Sequence, residues 1–466
     1  MFVTEDGNSV LFTFVLISSL FLLWGVCNGM IDVMDKHFQD ALGLSKAQSA
    51  WVQFAHYLGY FLMAIPAGWL ASKLGYKAGI IAGLLIVALG GLWFIPATHI
   101  DVLVHQGHVS LAVGFAAFLA GVCVIATGLT FLETIANPYT TVLGERRYAA
   151  TRINIAQSCN GVGWILGPII GSVYFYSSDA AGRSTGSQTL YIPYAAIAGV
   201  VIVLAVIFFF ARIPDIKTGD EYHLDDSSAP VSHSIWKHPH FVGAVAAQFF
   251  YVAAQAGIFS FFINYMTAEV PAIPGSWSAW LAGVAAHAGP LRDWLSGWFE
   301  TGRTGVLAIS NKGASNLASV GFVCFLIGRA TGAGLLRKFS AHKVLGTYGA
   351  LNVATTLLVF AKLGWFSVAC VFLSYFFMSI MFPTIFALGI FGLGARAKRA
   401  SSYIVMAIMG GAILPKLMGY VADKSDMSRG FIVPMFCFAL VALYGFCWPR
   451  LSKAESLAAA PVSIGH

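Results

Sequence analysis

Charge is what this sequence has least of. Only 10% of its 466 residues are Asp, Glu, Lys or Arg, while 58% are hydrophobic and the mean hydropathy is +0.77. Soluble domains carry about 25% charged residues, so a water-soluble globular protein is excluded. Polar–apolar alternation is also missing. Runs such as Ala195 to Ala211 do not alternate, which excludes barrel strands and leaves helices. No glycine-rich phosphate loop follows a strand, no His-Glu-x-x-His occurs, and no Ser/His/Asp set has a plausible context. The chain is therefore not expected to be an enzyme or an ATP-driven pump, and no cofactor is expected. The seven cysteines (Cys27, Cys123, Cys159, Cys324, Cys370, Cys437 and Cys447) lie in apolar stretches without metal-ligand spacing. Neither a metal centre nor disulfides are expected from them.

What is present is a succession of apolar stretches, each close to the roughly 20 residues a bilayer-crossing helix needs. Spans are expected at about 10–35, 46–72, 78–97, 109–143, 152–177, 190–211, 240–268, 314–337, 343–362, 366–394, 399–421 and 429–449. The fold class is thus an all-α membrane protein of twelve transmembrane helices. The first span, about Val10 to Met34, lacks a basic front and is too long for a cleaved signal peptide, so it is read as retained. A polar linker at 213–239, with Pro214, Asp215, Lys217, Asp220, Glu221, Asp225 and Asp226, separates an N-terminal half (1–212) from a C-terminal half (240–449). Residues 450–466 form a tail. An insertion at 269–313 carries Pro271, Pro274 and Pro290. Its segment 278–300 is expected to lie at the interface as an amphipathic helix, because His287, Arg292, Asp293 and Glu300 interrupt it.

Basic residues orient the chain. With both termini inside, sixteen Lys and Arg fall inside and nine outside, three of those nine in the long insertion; Arg329 and Lys416 lie within spans. The positive-inside rule then makes the termini and the linker cytoplasmic and the insertion periplasmic, in a cell inner (plasma) membrane protein. The same placement accounts for the net charge of +7 without a nucleic-acid partner.

An internal repeat joins the halves. Pro138, Arg146, Arg147, Gly163 and Pro168 of spans four and five correspond to Pro383, Arg396, Gly410 and Pro415 of spans ten and eleven, at an offset of 245 residues for the first proline and 247 for the second. Parallel six-helix repeats are the plan of major-facilitator transporters, whose site lies at the midplane between halves.

Ionisable groups inside spans are costly and point to function. Asp32 lies in the first span and Glu133 in the fourth. Asn28 shares a helix face with Asp32, and Asn137 with Glu133, by their spacing of four. A carboxyl among apolar groups can trade a proton as its surroundings change, which proton-coupled transport requires. Each has a plainer reading. Asp32 can mark the outer end of the first span, with Asp35 and Lys36, and Glu133 can cap a helix break at Pro138.

Span five carries Asn154, Gln157 and Asn160 at spacing three. Amides offer both donors and acceptors, which suits sugar hydroxyls, although helix–helix bonding is the alternative. The repeat maps Gln157 onto Ile404, Asn160 onto Ala407 and Glu133 onto Met378, so the polar groups are concentrated in the N-terminal half. From the C-terminal half, Gln255 is the best substrate-site candidate, with Gln248 and Asn264 on the same span. The aromatic stripes of spans seven and ten, including Phe259 and Phe382, read first as packing. Arg329 is read as structural, neutralising a carboxylate or binding helix-end carbonyls, while Lys416 is expected to snorkel and His56 to pack.

These motifs resemble the L-fucose:proton symporter branch of the major facilitator superfamily, which includes glucose/galactose and related sugar transporters. The resemblance is carried by Phe21-Leu22-Leu23-Trp24 with Asn28 and Asp32, and by Leu132-Glu133-Thr134 with Ala136-Asn137-Pro138. Further matches are Asn154-Ile155-Ala156-Gln157 with Asn160, Phe325-Leu326-Ile327-Gly328-Arg329, Met378-Ser379-Ile380 with Pro383-Thr384-Ile385-Phe386, and Ser401-Ser402-Tyr403-Ile404-Val405-Met406. Nearly all spans are covered, in order. The resemblance implies that Asp32 and Glu133 couple protons and that Asp32, Gln157 and Asn160 meet the sugar.

The chain departs from fucose-specific members at Gly29 and Ile31, where they carry asparagines, and at Met381-Phe382, where they carry Gln-Tyr. The sugar is therefore left open among hexoses and deoxyhexoses. The expected substrate-binding set is Asn28, Asp32, Gln157, Asn160, Gln255 and Phe382, in a monomer surrounded by membrane lipid. A sodium-coupled sugar symporter, an exporter of amphiphiles and a non-transporting membrane sensor are the other readings of the same residues.

Overall fold

A computed structural model of the chain describes residues 2, 9–143, 149–176, 186–211, 235–289, 292–301, 306–336, 338–391, 393 and 397–452. Most of the expected linker, the tail after 452, and Arg146, Arg147 and Arg396 of the repeat lie outside these residues.

The first span, Leu11–Leu42, is longer than its apolar run suggests. It stops only at Gly43, whose positive φ of 64° lets its N–H return to the Gln39 carbonyl. Spans two and three share one helical stretch, Trp51–His105, which turns at Gly75 (φ 81°, ψ 170°), a conformation only glycine adopts readily. Span four is Leu111–Val142, span five Ala149–Tyr174 and span six Tyr191–Phe210. In the second half, span seven is Pro239–Ser260 continued by Phe262–Ala268, span eight Asn311–Leu336, and span nine Ala341–Phe360. Span ten is Trp365–Met378 and Met381–Ile390, span eleven Ala397–Met406 and Gly410–Lys424, and span twelve Ile432–Ser452. The protein is an all-α membrane protein with twelve spanning helices in two six-helix halves.

Among the described residues, ten stretches are long and apolar enough to cross a bilayer. The two that fall short are span two, with Gln53, His56, Tyr57 and Tyr60, and span five, with Gln157 and Asn160. Polar residues lower their hydropathy, and both helices border the candidate site.

One alternative reading and one expectation are corrected. The fourth span does not break at Pro138: its helix runs on to Val142, and the Asn137 side chain bonds back to the Glu133 carbonyl at 3.0 Å. Prolines are tolerated in membrane helices where nearby groups satisfy the backbone. The matching tenth span does break, at Ser379–Ile380 just before Pro383, so the repeat is not symmetric in shape. Segment 278–300 is not one helix. Gly275–Ala286 ends at His287, a single turn follows at Arg292–Leu295, and Phe299–Thr301 pairs antiparallel with Leu307–Ile309.

The halves are latched at the end that carries this insertion. Gln39 and Asn264 form a reciprocal amide pair, with Asn264 Nδ2 donating to Gln39 Oε1 at 2.5 Å. Asp423 accepts the backbone N–H groups of Lys46 and Ala47 at 3.1 and 2.9 Å. Asn311 donates to Asp40 at 2.6 Å, and Ser315 and Ser319 of span eight donate to the Pro168 and Ile165 carbonyls of span five, each at 2.7 Å. At the same end the Lys362 ammonium bonds Asp426 at 2.9 Å, and that hydrogen bond raises its pKa above the ordinary value.

Candidate functional site

Spans one and five touch backbone to backbone. A Cβ on Gly25 would overlap the Asn160 carbonyl, and one on Gly167 would come within 2.6 Å of the Gly29 Cα. Gly25 and Gly29 face Gly163 and Gly167, the small-residue spacing that lets membrane helices approach closely. The closeness decides what Asn160 does. Its side-chain amide donates to the Phe21 carbonyl at 3.2 Å, so it bonds helix to helix. Asn28 and Asp32, three residues on from Gly25 and Gly29, lie beside this seam and meet Tyr60 and Gln53 of span two.

Asp32 does not mark the end of its span. Its helix continues ten residues further, and the side chain is only 5% exposed. Gln53 Nε2 donates to Asp32 Oδ1 at 3.3 Å, while Asp32 Oδ2, Gln53 Oε1 and Asn28 Oδ1 are buried acceptors with no hydrogen-bond donor. Glu133 lies in a small recess lined by Leu20, Phe21, Trp24, Leu132 and Ala136. The Tyr60 hydroxyl lies against its carboxyl, accepts a hydrogen bond from Trp24 Nε1 at 2.7 Å, and also neighbours Asn28. Tyr57 faces both Asp32 and Glu133, and from the other half Tyr251. Span two thus presents Gln53 to Asp32 and the Tyr60 hydroxyl to Glu133, with Tyr57 near both carboxyls.

Gln157 donates to Asn137 Oδ1 at 2.9 Å, which ties it to the helix of Glu133. Gln255 is half-buried, one turn beyond Tyr251 on span seven. Phe382 is half-buried with its ring edge-on to Tyr251 at 6.4 Å. The side chain of Asn154 lies outside what the structure describes. The other aromatics pack: Phe259 stacks on Tyr375 at 4.6 Å, and Trp164 of span five meets Phe322 at 4.9 Å. Arg329 reaches the Ser379 carbonyl at the end of the first helix of span ten, at 3.4 Å. Lys416 lies over the Trp51 ring at 3.8 Å, and His56 packs on Tyr57 and Tyr60, each at 5.0 Å.

The residues that sequence reasoning missed are Gln53, Tyr57, Tyr60 and Tyr251. Three are tyrosines, whose apolar body hides a polar tip. The available signal was their spacing along span two, where Gln53, Tyr57 and Tyr60 recur at helical intervals on one face.

A twelve-helix fold in two halves, with carboxyls set inside spans one and four against span two, defines a membrane transporter. The family model described as Major Facilitator Superfamily matches residues 13–311, and the chain belongs to that superfamily. Within it, the chain is 34% identical to an L-fucose-proton symporter of Escherichia coli, covering 94% of this chain and 93% of that protein. It is 30% identical to a glucose/galactose transporter of Brucella abortus, covering 95% and 96%. A solved fucose:proton symporter of E. coli matches with a TM-score of 0.64 at 32% identity, covering 94% of this chain and 98% of that one. A D-xylose-proton symporter matches with a TM-score of 0.65 at 12% identity, a likeness of fold alone.

Proposed function

We propose that this protein is a proton-coupled symporter of a hexose or deoxyhexose that works by alternating access between its halves. The observation that carries the reading is a pair of carboxyls inside different spans, Asp32 buried and bonded by Gln53, and Glu133 partly buried with the Tyr60 hydroxyl against it. Relatives named as sugar transporters support the substrate class. In this reading Asp32 and Glu133 carry the coupling proton. Asn28, Asp32, Gln157, Gln255 and Phe382 meet the sugar. The unpartnered oxygens of Asn28 and Asp32 accept its hydroxyl protons. Asn160 takes part through its side-chain carbonyl oxygen, its amide being held by the Phe21 carbonyl.

The protein acts as a monomer in the plasma (inner) membrane and catalyses no covalent chemistry. Its linker, near 213–239, and both termini are cytoplasmic, and the insertion 269–313 faces outward. The latch at the insertion end is then the outer gate. Losing a buried hydrogen bond is worth about 1 kcal/mol, or roughly a fivefold shift in a two-state balance. Gln39→Ala is accordingly expected to populate an outward-open state. Spin labels on Leu44→Cys and Ser425→Cys should gain a longer-distance component in double electron–electron resonance, and an unchanged distribution would remove the latch role.

The substrate class is tested by thermal shift of the purified protein. A ligand at a hundred times its Kd adds about 2.7 kcal/mol, which raises the melting temperature by a few degrees. Some hexose or 6-deoxyhexose is expected to do this, and N-acetylhexosamines are not. Stabilisation by amphiphilic cations alone would contradict the sugar reading.

A further inference from the structure

The first span buries another carboxyl, to which the mechanism above gives no role. Asp35 is 0% exposed, and neither of its oxygens has a well-formed hydrogen bond. It faces Asp32 and Gln53 of the N-terminal half and Ser260 of span seven. The Ser260 hydroxyl is fully buried, has no hydrogen-bond partner, and is aimed at this carboxyl. No cation faces the pair among the described residues. Lys36 is engaged with Asp40 at 2.5 Å, and Lys416 lies over Trp51. His37 is turned to the Phe175 carbonyl at 2.9 Å, and Tyr176, which also sees Asp35, gives its hydroxyl to the Val33 carbonyl at 2.7 Å.

Two adjacent carboxylates cannot both stay ionised in apolar surroundings without a counter-charge. The pair therefore holds at least one proton in this state. Asp35 caps no helix and binds no base, so its burial is not repaid by a structural bond. Its surroundings do depend on how the halves sit. Ser260 belongs to the C-terminal half, one turn before Asn264 of the latch. Opening the latch withdraws Ser260 and lets water from the insertion side reach Asp35. A group whose exposure alternates with the gate is what a coupling proton needs.

We propose that Asp35 is a second proton carrier of the transport cycle. It takes a proton from the insertion side while the latch is open. It keeps that proton as Ser260 closes over it, and releases it toward the opposite face by way of Asp32. This rests on the proton-coupled reading above.

The test is the proton-to-sugar ratio. In proteoliposomes with the membrane potential clamped at zero, each coupled proton adds about tenfold sugar accumulation per unit of imposed pH gradient. The wild-type chain is expected to accumulate sugar with a slope of two protons or more. Asp35→Asn and Asp35→Leu are each expected to lose one, about a tenfold fall in accumulation at one pH unit. Counterflow exchange, run in parallel, reads folding and sugar binding. The apolar variant covers the case in which the amide does not fold. A wild-type slope of one overturns the proposal whatever the variants do, and so does a variant with the wild-type slope. Accumulation driven by sodium without a pH gradient, and lost in Asp35→Asn, would make this a cation site and also overturn it. A wild-type chain with no pH-driven accumulation would sink the proton-coupled reading itself, a distinguishable result.

Discussion

Glu133→Gln is expected to abolish pH-driven sugar accumulation while counterflow exchange continues. The amide keeps the shape of the protonated acid and a donor for the Tyr60 hydroxyl that lies against it, but it can never release a proton. The carrier is then held in its loaded form, which still binds sugar and still alternates. Accumulation at one pH unit should fall by at least about tenfold. Asp32→Asn is expected to lose accumulation too, and for an additional reason to weaken exchange. Asp32 accepts from Gln53 and shares its helix face with Asn28, so an amide there adds an N–H donor that competes with the sugar hydroxyls for Asn28 Oδ1 and Gln53 Oε1. Measured together, the two variants separate coupling from recognition. Accumulation surviving in both would show that neither carboxyl couples the proton.

The second large effect concerns the seam between spans one and five. Gly163→Val is expected to prevent stable folding. A Cβ at Gly163 would overlap the Leu22 carbonyl and lie 2.7 Å from the Val26 backbone nitrogen, so backbone must move rather than a side chain. Overpacking against side chains costs about 1–3 kcal/mol, and here the cost should exceed that range because the neighbour is a helix backbone. Separating the helices also breaks the bond from Asn160 to Phe21 and shifts the face carrying Asn28 and Asp32. Gly199→Val is the control, since a Cβ there meets nothing within 4 Å on an exposed face of span six. Monodispersity and melting temperature in detergent should collapse for the first and hold for the second. Equal melting temperatures would refute the seam.

The sequence made Asp32 and Glu133 legible because an acid in an apolar run is energetically expensive and stands out. It hid Asp35 for the opposite reason. Asp35 sits beside Lys36, and a charged pair near the end of an apolar run looks like a membrane boundary. The helix carries on to Leu42, and only the fold shows that Asp35 turns inward while Lys36 turns to Asp40. Asn160 was legible as an amide inside a span, but its partner was not. Whether it meets a ligand or a backbone carbonyl depends on how closely two helices approach, which the glycines hinted at without fixing the register. The repeat made the plan of two six-helix halves legible, yet Pro138 lies within a continuous helix while the helix before Pro383 breaks at Ser379–Ile380. The small hairpin of the insertion was invisible, since three-residue strands leave no periodic pattern.

The most direct test of proton–sugar symport is the movement of protons when sugar alone is supplied. Purified protein in sodium-free liposomes, with no initial pH gradient, would be given an outward-to-inward gradient of whichever sugar stabilises it, while an enclosed pH dye is followed. The account predicts that the interior acidifies as sugar enters, and that the signal is absent with Glu133→Gln. Sugar entry without acidification, or entry that requires sodium, would contradict it.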